Sequence, residues 1–357
     1  MSTPAYPNIK GLDQFKGVTF HSQDWQHDYP LEGKKVAVIG TGASAIQFVP
    51  QIVPKVGRLD LYQRTPPWIM PKPDRAITSA ERALFKYAPK TQEAMRNAIY
   101  LQLESRVLGF VVNPQIMKLA ELQARRHIRQ SIKDPALRKK VTPDYTFGCK
   151  RVLISNDYLP SLAQPNVDVI THGIKEVRAN SIIGDDGQER QVDAIIFGTG
   201  FETRQLPLTD QLFGTDGVSM AESWNGDPAA YLGTSVQGFP NCYLMHGPNI
   251  GLGHNSVVHM LESQANYIAA TVTYARDFGF AAVEPTPSAQ QTYDDDVQRL
   301  SDGTVWTAGG CQSWYVNSRG RNVNIWPSST IDFRRRTSRF IPADHKVTRP
   351  SRKLVEA

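Results

Sequence analysis

Lys34-Lys35-Val36-Ala37-Val38-Ile39-Gly40-Thr41-Gly42-Ala43-Ser44-Ala45 is the stretch whose reading decides the fold. Val36 to Ile39 is a short, wholly apolar run of the kind that a parallel sheet buries on both faces. Gly40-Thr41-Gly42-Ala43-Ser44-Ala45 follows at once, with the spacing Gly-x-Gly-x-x-Gly/Ala, and Ser44 to Val53 reads as a helix stopped near Pro54. Strand, glycine turn and helix are the context in which this spacing binds a dinucleotide. Gly40 permits the tight turn, Gly42 lets the backbone approach a pyrophosphate, and the small Ala45 lets helix and strand pack closely. Thr41 and Ser44 complete the turn at a helix start whose amides attract an anion. The competing reading is a turn with a purely structural role.

The next strand, Leu59-Asp60-Leu61-Tyr62, completes the start of a βαβ unit and selects between dinucleotides. An NAD site places an acidic residue about 20 positions on, to bond the ribose hydroxyl. Here Asp60 lies within the strand, while Gln63-Arg64-Thr65 stands at its tip. A planar guanidinium beside a hydroxyl suits a 2′-phosphate, so Arg64 and Thr65 point to NADP(H). A surface arginine without a ligand is the alternative.

Working outward, residues 1 to 30 are rich in Pro and Gly and read as an extended linker. From about Ser79 to Lys140 the composition turns to Ala, Leu, Gln, Arg and Lys at helical spacing, which indicates a helical insertion. Asn166 to Ile170 and Val192 to Phe197 read as returning buried strands, with Gly184-Asp185-Asp186-Gly187 as a hairpin turn. One further helix is expected around Val257 to Arg276. The fold class is α/β.

Composition narrows the remaining choices. With 357 residues, 40% of them apolar and 21% charged, the chain is an ordinary globular one. No apolar run approaches the ~20 residues of a membrane span, and the start lacks a secretory pattern. Cys149, Cys242 and Cys311 are widely spaced without a Cys-x-x-Cys pair. That spacing argues against a disulfide framework, a zinc site or a redox dithiol, and reduced thiols fit a cytoplasmic location. It also opposes a pyridine-nucleotide disulfide reductase. The net charge of +6 includes Arg334, Arg335, Arg336 and Arg339, read as a solvated basic strand or tail rather than a nucleic-acid surface. Neither metal, nucleic acid nor membrane is expected as a partner.

Phe15-x-Gly17-x-x-x-His21-x-x-x-Trp25 precedes the first strong strand, and here the sequence resembles the flavin-dependent Baeyer–Villiger monooxygenases, notably their 4-hydroxyacetophenone monooxygenase-like members. Gln26 stands where the fingerprint continues with Pro or Asp. The resemblance runs on through the glycine turn, Gln63-Arg64-Thr65, Lys150-Arg151 and Ala194 to Phe201. It implies that NADPH reduces FAD and that O2 forms a C4a-peroxyflavin. This attacks a small ketone or aldehyde to give an ester or lactone, or oxygenates a sulfide. It further implies a domain scheme. Residues 1–30 form a linker carrying the fingerprint, and 31–200 a Rossmann-like NADP-binding domain with a helical insertion at about 78–145. Residues 201–357 form the C-terminal part of a split FAD/substrate domain.

By the same resemblance Arg151 is the catalytic residue, since a permanent positive charge stabilises a peroxide anion and polarises the developing negative oxygen. Lys150 contacts NADP, Gly200 lies where the chain returns from the NADP domain, and Trp314 of Ser313-Trp314-Tyr315 closes over the nicotinamide. A solvated Lys150–Arg151 pair and a core Trp314 are the readings without the family. Phe15, Gly17, His21 and Trp25 form a hinge, and the loop His246 to Asn249 with Gly251 to Ser256 lies beside the flavin, a plain turn-rich loop being the alternative. A second glycine motif for the FAD pyrophosphate is not found, because Gly251-x-Gly253 has its third small position displaced. The expected FAD site is therefore incomplete in these residues. The missing part is expected either outside this segment or from a second chain, or the chain is a non-catalytic NADP-binding remnant.

Overall fold

Five short strands, β1 (Val18–His21), β2 (Lys35–Ile39), β3 (Arg58–Tyr62), β4 (Val167–Ile170) and β5 (Ala194–Phe197), make one sheet in the computed structural model, which describes residues 3–202, 207–311 and 313–350. The sheet is parallel throughout, ordered β1-β5-β2-β3-β4. Val36, Ala37, Val38, Leu59, Leu61, Ala194, Ile195 and Ile196 are wholly buried. A sheet covered on both faces requires such continuous apolar runs, and each large aliphatic side chain so buried stabilises the fold by roughly 1.5–3 kcal/mol.

Helix α1 (Ala45–Ile52) connects β2 to β3 and buries Ala45, Ile46, Val49 and Ile52. From β2 the chain steps outward to β3 and β4, then returns to place β5 on the other side of β2. Strand order therefore reverses between β2 and β5, and the crevice beyond their carboxyl ends is where open α/β sheets bind ligands. Gly40 and Gly198 follow directly from those ends.

The segment expected as a linker contains β1, an edge strand registered Val18↔Ala194 through His21↔Phe197. Four residues with a polar Thr among them leave too weak a pattern to read in sequence. The expected helical insertion is present as α2 (Ser79–Tyr87), α3 (Pro89–Glu104), α4 (Met117–Ser131) and α5 (Pro135–Val141). Thr78 and Glu81 cap α2 reciprocally. The expected hairpin turn lies between strands Ser181–Gly184 and Glu189–Gln191.

The chain divides into two compact units. One comprises Met1–Asp74, Lys118–Phe147 and Arg151–Thr203; the other comprises Arg75–Met117, Gly148–Lys150 and Arg204–Ala357. Part of the helical insertion thus groups with the C-terminal residues. Within the second unit, α6 (Val257–Asp277) and α7 (Pro287–Ser301) pack with Tyr231, Trp326 and Phe333 in one core. Arg334, Arg335 and Arg336 lie on α8 (Thr330–Thr337) rather than in a strand or tail, with Arg334 and Arg335 exposed to solvent. Arg336 bonds Asp296 at 2.6 Å and Asp332 at 2.9 Å, so part of the basic run is neutralised locally.

Candidate functional site

The carboxyl end of β2 opens into the glycine turn. Gly40 has φ +105°, and a Cβ there would lie 2.4 Å from the Gly198 carbonyl oxygen. Only glycine fits, because the turn is both left-handed and in backbone contact with the turn after β5. A Cβ on Gly198 would meet that of Ala45 at 3.2 Å, so the small Ala45 does hold helix and strand close. At Gly42 a Cβ would have Gly198 O at 3.9 Å as its nearest neighbour. The protein thus leaves open the space beside Gly42 that a pyrophosphate would occupy.

The helix start beyond it has no side-chain cap. The Ile46 and Gln47 amides already bond the Gly42 and Ser44 carbonyls, which leaves the Ala45 amide and those of the turn before it for an anion, and the residues present fit a dinucleotide on that ground. Thr41 Oγ1 donates to the carbonyl of Thr65 at 3.4 Å, which links this turn to the tip of β3. Gly200, at φ +81°, has open space where a Cβ would stand.

Asp60 is not available to a ribose. Its side chain is wholly buried between Arg58 at 2.8 Å and Arg190 at 3.3 Å. Burial pushes its carboxyl above the usual range even though both arginines oppose the shift. Arg64, by contrast, is exposed at the strand tip, and no ion pair involves it among the described residues. A guanidinium without a protein counter-ion beside the dinucleotide turn is suited to a phosphate.

The fingerprint residues sit behind this turn in the same unit. A Cβ on Gly17 would lie 2.4 Å from Asp193 O and 2.6 Å from the ring of Phe15, which explains glycine two positions after an aromatic. His21 is fully buried at the end of β1. It accepts the Gln23 amide at Nδ1 and is flanked edge-on by Tyr6 and Phe201. Trp25 packs between Phe20 and Phe48 of α1. Thr199 Oγ1 donates to Ala5 O and the Ala5 amide to Gly200 O, tying the N-terminal segment to the return from β5.

Arg151 is exposed and precedes the strand Leu153–Ile154, which pairs with Ile69–Met70 in the first unit. No ion pair consumes it among the described residues. Lys150 belongs to the second unit, as does Trp314, which is 39% exposed and so is not a core tryptophan. The expectation of three reduced thiols is overturned here. Cys149 and Cys311 form a disulfide, 162 positions apart in sequence, with Cα atoms 6.2 Å apart; Cys242 is free. Sequence spacing cannot show such a pair, because folding of intervening elements creates it.

Sequence reasoning also missed a buried polar cluster in the second unit. Glu104, at the end of α3, accepts the Thr330 amide and hydroxyl, both at 2.7 Å, and the Asn255 side-chain amide at 2.6 Å. His254 Nε2 lies 3.6 Å away. Burial raises the carboxyl, but the neighbouring His254 and the hydrogen bonds from Thr330 and Asn255 outweigh it and hold Glu104 down at about 2. The "Gly-His-Asn" loop is thus anchored through its polar side chains. A Cβ on Gly251 would meet Asn324 O at 2.7 Å, and one on Gly253 would meet Trp306 at 2.8 Å. These glycines thus let Asn324 and Trp306 approach the backbone closely.

The family model described as flavin-binding monooxygenase-like matches residues 3–215. A Baeyer-Villiger monooxygenase of Pseudomonas aeruginosa is 52% identical over 352 residues, covering 98% of this chain and 67% of the relative. One of Streptomyces coelicolor is 47% identical over 361 residues, covering all of this chain and 69% of the relative. Among solved structures, cyclohexanone monooxygenase from a Rhodococcus species bound to NADP+ is similar at a TM-score of 0.83 and 24% identity, covering 98% of this chain and 73% of that one. The OTEMO complex with FAD and NADP reaches 0.81 at 26% identity, covering 97% and 73%.

Proposed function

Because the chain belongs to the flavin-binding monooxygenase-like family, we propose that it is a Baeyer–Villiger monooxygenase using NADPH, FAD and O2. One oxygen atom enters a ketone or aldehyde, giving an ester or lactone, or is added to a sulfide. The other leaves as water, with NADP+ as the oxidised product. FAD, when bound, carries the two electrons of NADPH to O2. The observation that carries this reading is the opening at Gly42 beside the unpaired Arg64.

Gly40, Thr41, Gly42, Ser44 and Ala45 hold the pyrophosphate of NADP(H), and Arg64 with Thr65 holds its 2′-phosphate. Lys150, Gly200 and Trp314 complete the cofactor contacts, and Phe15, Gly17, His21 and Trp25 serve as the hinge. Arg151 supplies fixed positive charge where negative charge develops on oxygen, a role worth on the order of 10²–10³ in rate for one such donor. No second Gly-x-Gly-x-x-Gly turn for the flavin's pyrophosphate is read in the sequence, and we infer that flavin binding draws on further residues, a second chain being one source. Among the described residues no helix is long and apolar enough to cross a membrane; a cytoplasmic location is proposed without the support of reduced thiols, which the Cys149–Cys311 disulfide removes.

The lack of a second Gly-x-Gly-x-x-Gly motif in the sequence favours a second reading, a nucleotide-binding module without oxygenation. Incubation with FAD, gel filtration and turnover of a ketone panel with NADPH under 18O2 separate the two. Retained flavin with one labelled oxygen in the product supports the oxygenase; NADPH binding without retained flavin or product supports the module.

A further inference from the structure

Two chain segments expected to contact NADP(H) are joined by a covalent bond that the proposed reaction does not use. Cys149 is the residue before Lys150, and Cys311 lies three positions before Trp314. The surrounding backbone is shaped to let these segments meet. Gly148 has φ +93°, and a Cβ there would press on Met117 and Phe110 at 3.0 and 3.2 Å. Gly309 approaches so closely that its Cβ would lie 2.5 Å from the Cβ of Cys149 and 2.3 Å from Val305 O. Gly310, at φ +71°, then turns the chain toward Cys311. Beyond it, Trp314 is tilted against Tyr315, and its carbonyl accepts the Asn324 side-chain amide at 2.6 Å.

We propose that Cys149–Cys311 is a thiol–disulfide modification site that tethers the Trp314 segment to the Lys150 segment when oxidised and releases it when reduced. Residue exposure determines the order of events. Cys149 is fully buried, while Cys311 is partly exposed, so a dithiol reductant attacks the sulfur of Cys311. The first exchange forms a mixed disulfide there and expels Cys149, which takes up a proton. The reductant's second sulfur then displaces Cys311 as a thiol and leaves as a cyclic disulfide, so two electrons and two protons have passed to the protein. An oxidising small-molecule disulfide reverses both exchanges. Held in place, Trp314 meets the nicotinamide with less ordering left to lose, so the oxidised form binds NADPH about 3–10-fold more tightly. That consequence rests on the NADP(H) reading of Lys150 and Trp314; the tether itself does not.

The test uses the full chain. Thiol titration after denaturation without reductant is expected to find one reactive thiol, Cys242, and three after dithiothreitol. Limited proteolysis is expected to cut within 309–318 faster after reduction, and NADPH affinity to fall, while Cys149→Ser and Cys311→Ser proteins behave as reduced and ignore dithiothreitol. Three thiols before reduction, or cleavage indifferent to reduction, overturns the proposal. A tether that responds without any NADPH binding in either state leaves the switch standing and removes the cofactor reading instead. NADPH binding equal in both states overturns the effect on affinity alone.

Discussion

Gly40 and Gly42 lie two positions apart, yet the structure gives them opposite surroundings, and this predicts opposite phenotypes. Gly40→Ala places a side chain at φ +105° and 2.4 Å from Gly198 O. The expected cost is about 2–4 kcal/mol in unfolding free energy, from backbone strain and overpacking together, read as a lower urea midpoint. Gly42→Ala meets nothing closer than 3.9 Å, so the protein should unfold as the wild type does. The methyl occupies the pyrophosphate space, and NADPH affinity measured by fluorescence titration should drop at least tenfold. Arg64→Ala should leave stability unchanged and lower NADPH affinity by about 10–100-fold, since a charge-assisted hydrogen bond contributes roughly 1.5–3 kcal/mol. NADH affinity should hardly move. Arg64 was legible because its neighbours name its place at a strand tip. Asp60, set aside in the sequence because it lies within the strand, is buried between two arginines.

At the level of elements, the sheet and α1 were legible because buried parallel strands leave continuous apolar runs and glycines mark their ends. β1 was not. It is four residues long at a sheet edge, and its evidence is pairing with β5, a segment 176 positions away. Gly17 is the hidden determinant of that strand. Gly17→Ala would drive a methyl into Asp193 O and the Phe15 ring, and β1 must shift to accommodate it. We expect a loss of about 1–3 kcal/mol, together with faster hydrogen exchange at Val18–His21. Unchanged exchange in β1 would contradict the role assigned to this glycine. The glycine pair 251 and 253 carries the converse lesson. The same residue type that frees space for a ligand at Gly42 is used there to let Asn324 and Trp306 come close, and sequence does not distinguish the two uses.

Across the whole molecule, what remained illegible was pairing between distant positions. Cys149 with Cys311 is one case; Glu104 with Asn255 and Thr330 is the other. Both unite the second unit, in which α3 and the C-terminal residues pack together. Glu104 gives this unit an acid sensitivity whose sign follows from its depressed pKa. A carboxyl at about 2 when folded and 4.5 when unfolded contributes stability that is fully present above pH 4.5 and is lost as pH falls toward 2. The contribution is on the order of 3 kcal/mol. Acid unfolding followed by circular dichroism should show the wild type losing stability across that window, and Glu104→Gln should be less stable at pH 7 with a flatter acid limb. Equal pH profiles would remove Glu104 from this role.

Calorimetric titration of the 357-residue protein with NADPH and NADH decides whether the sheet's switch point holds NADP(H). We predict NADPH binding at one site per chain, at least tenfold tighter than NADH, with that preference abolished in Arg64→Ala. Equal affinity for the two cofactors, or a preference that survives loss of Arg64, would contradict the assignment of this site.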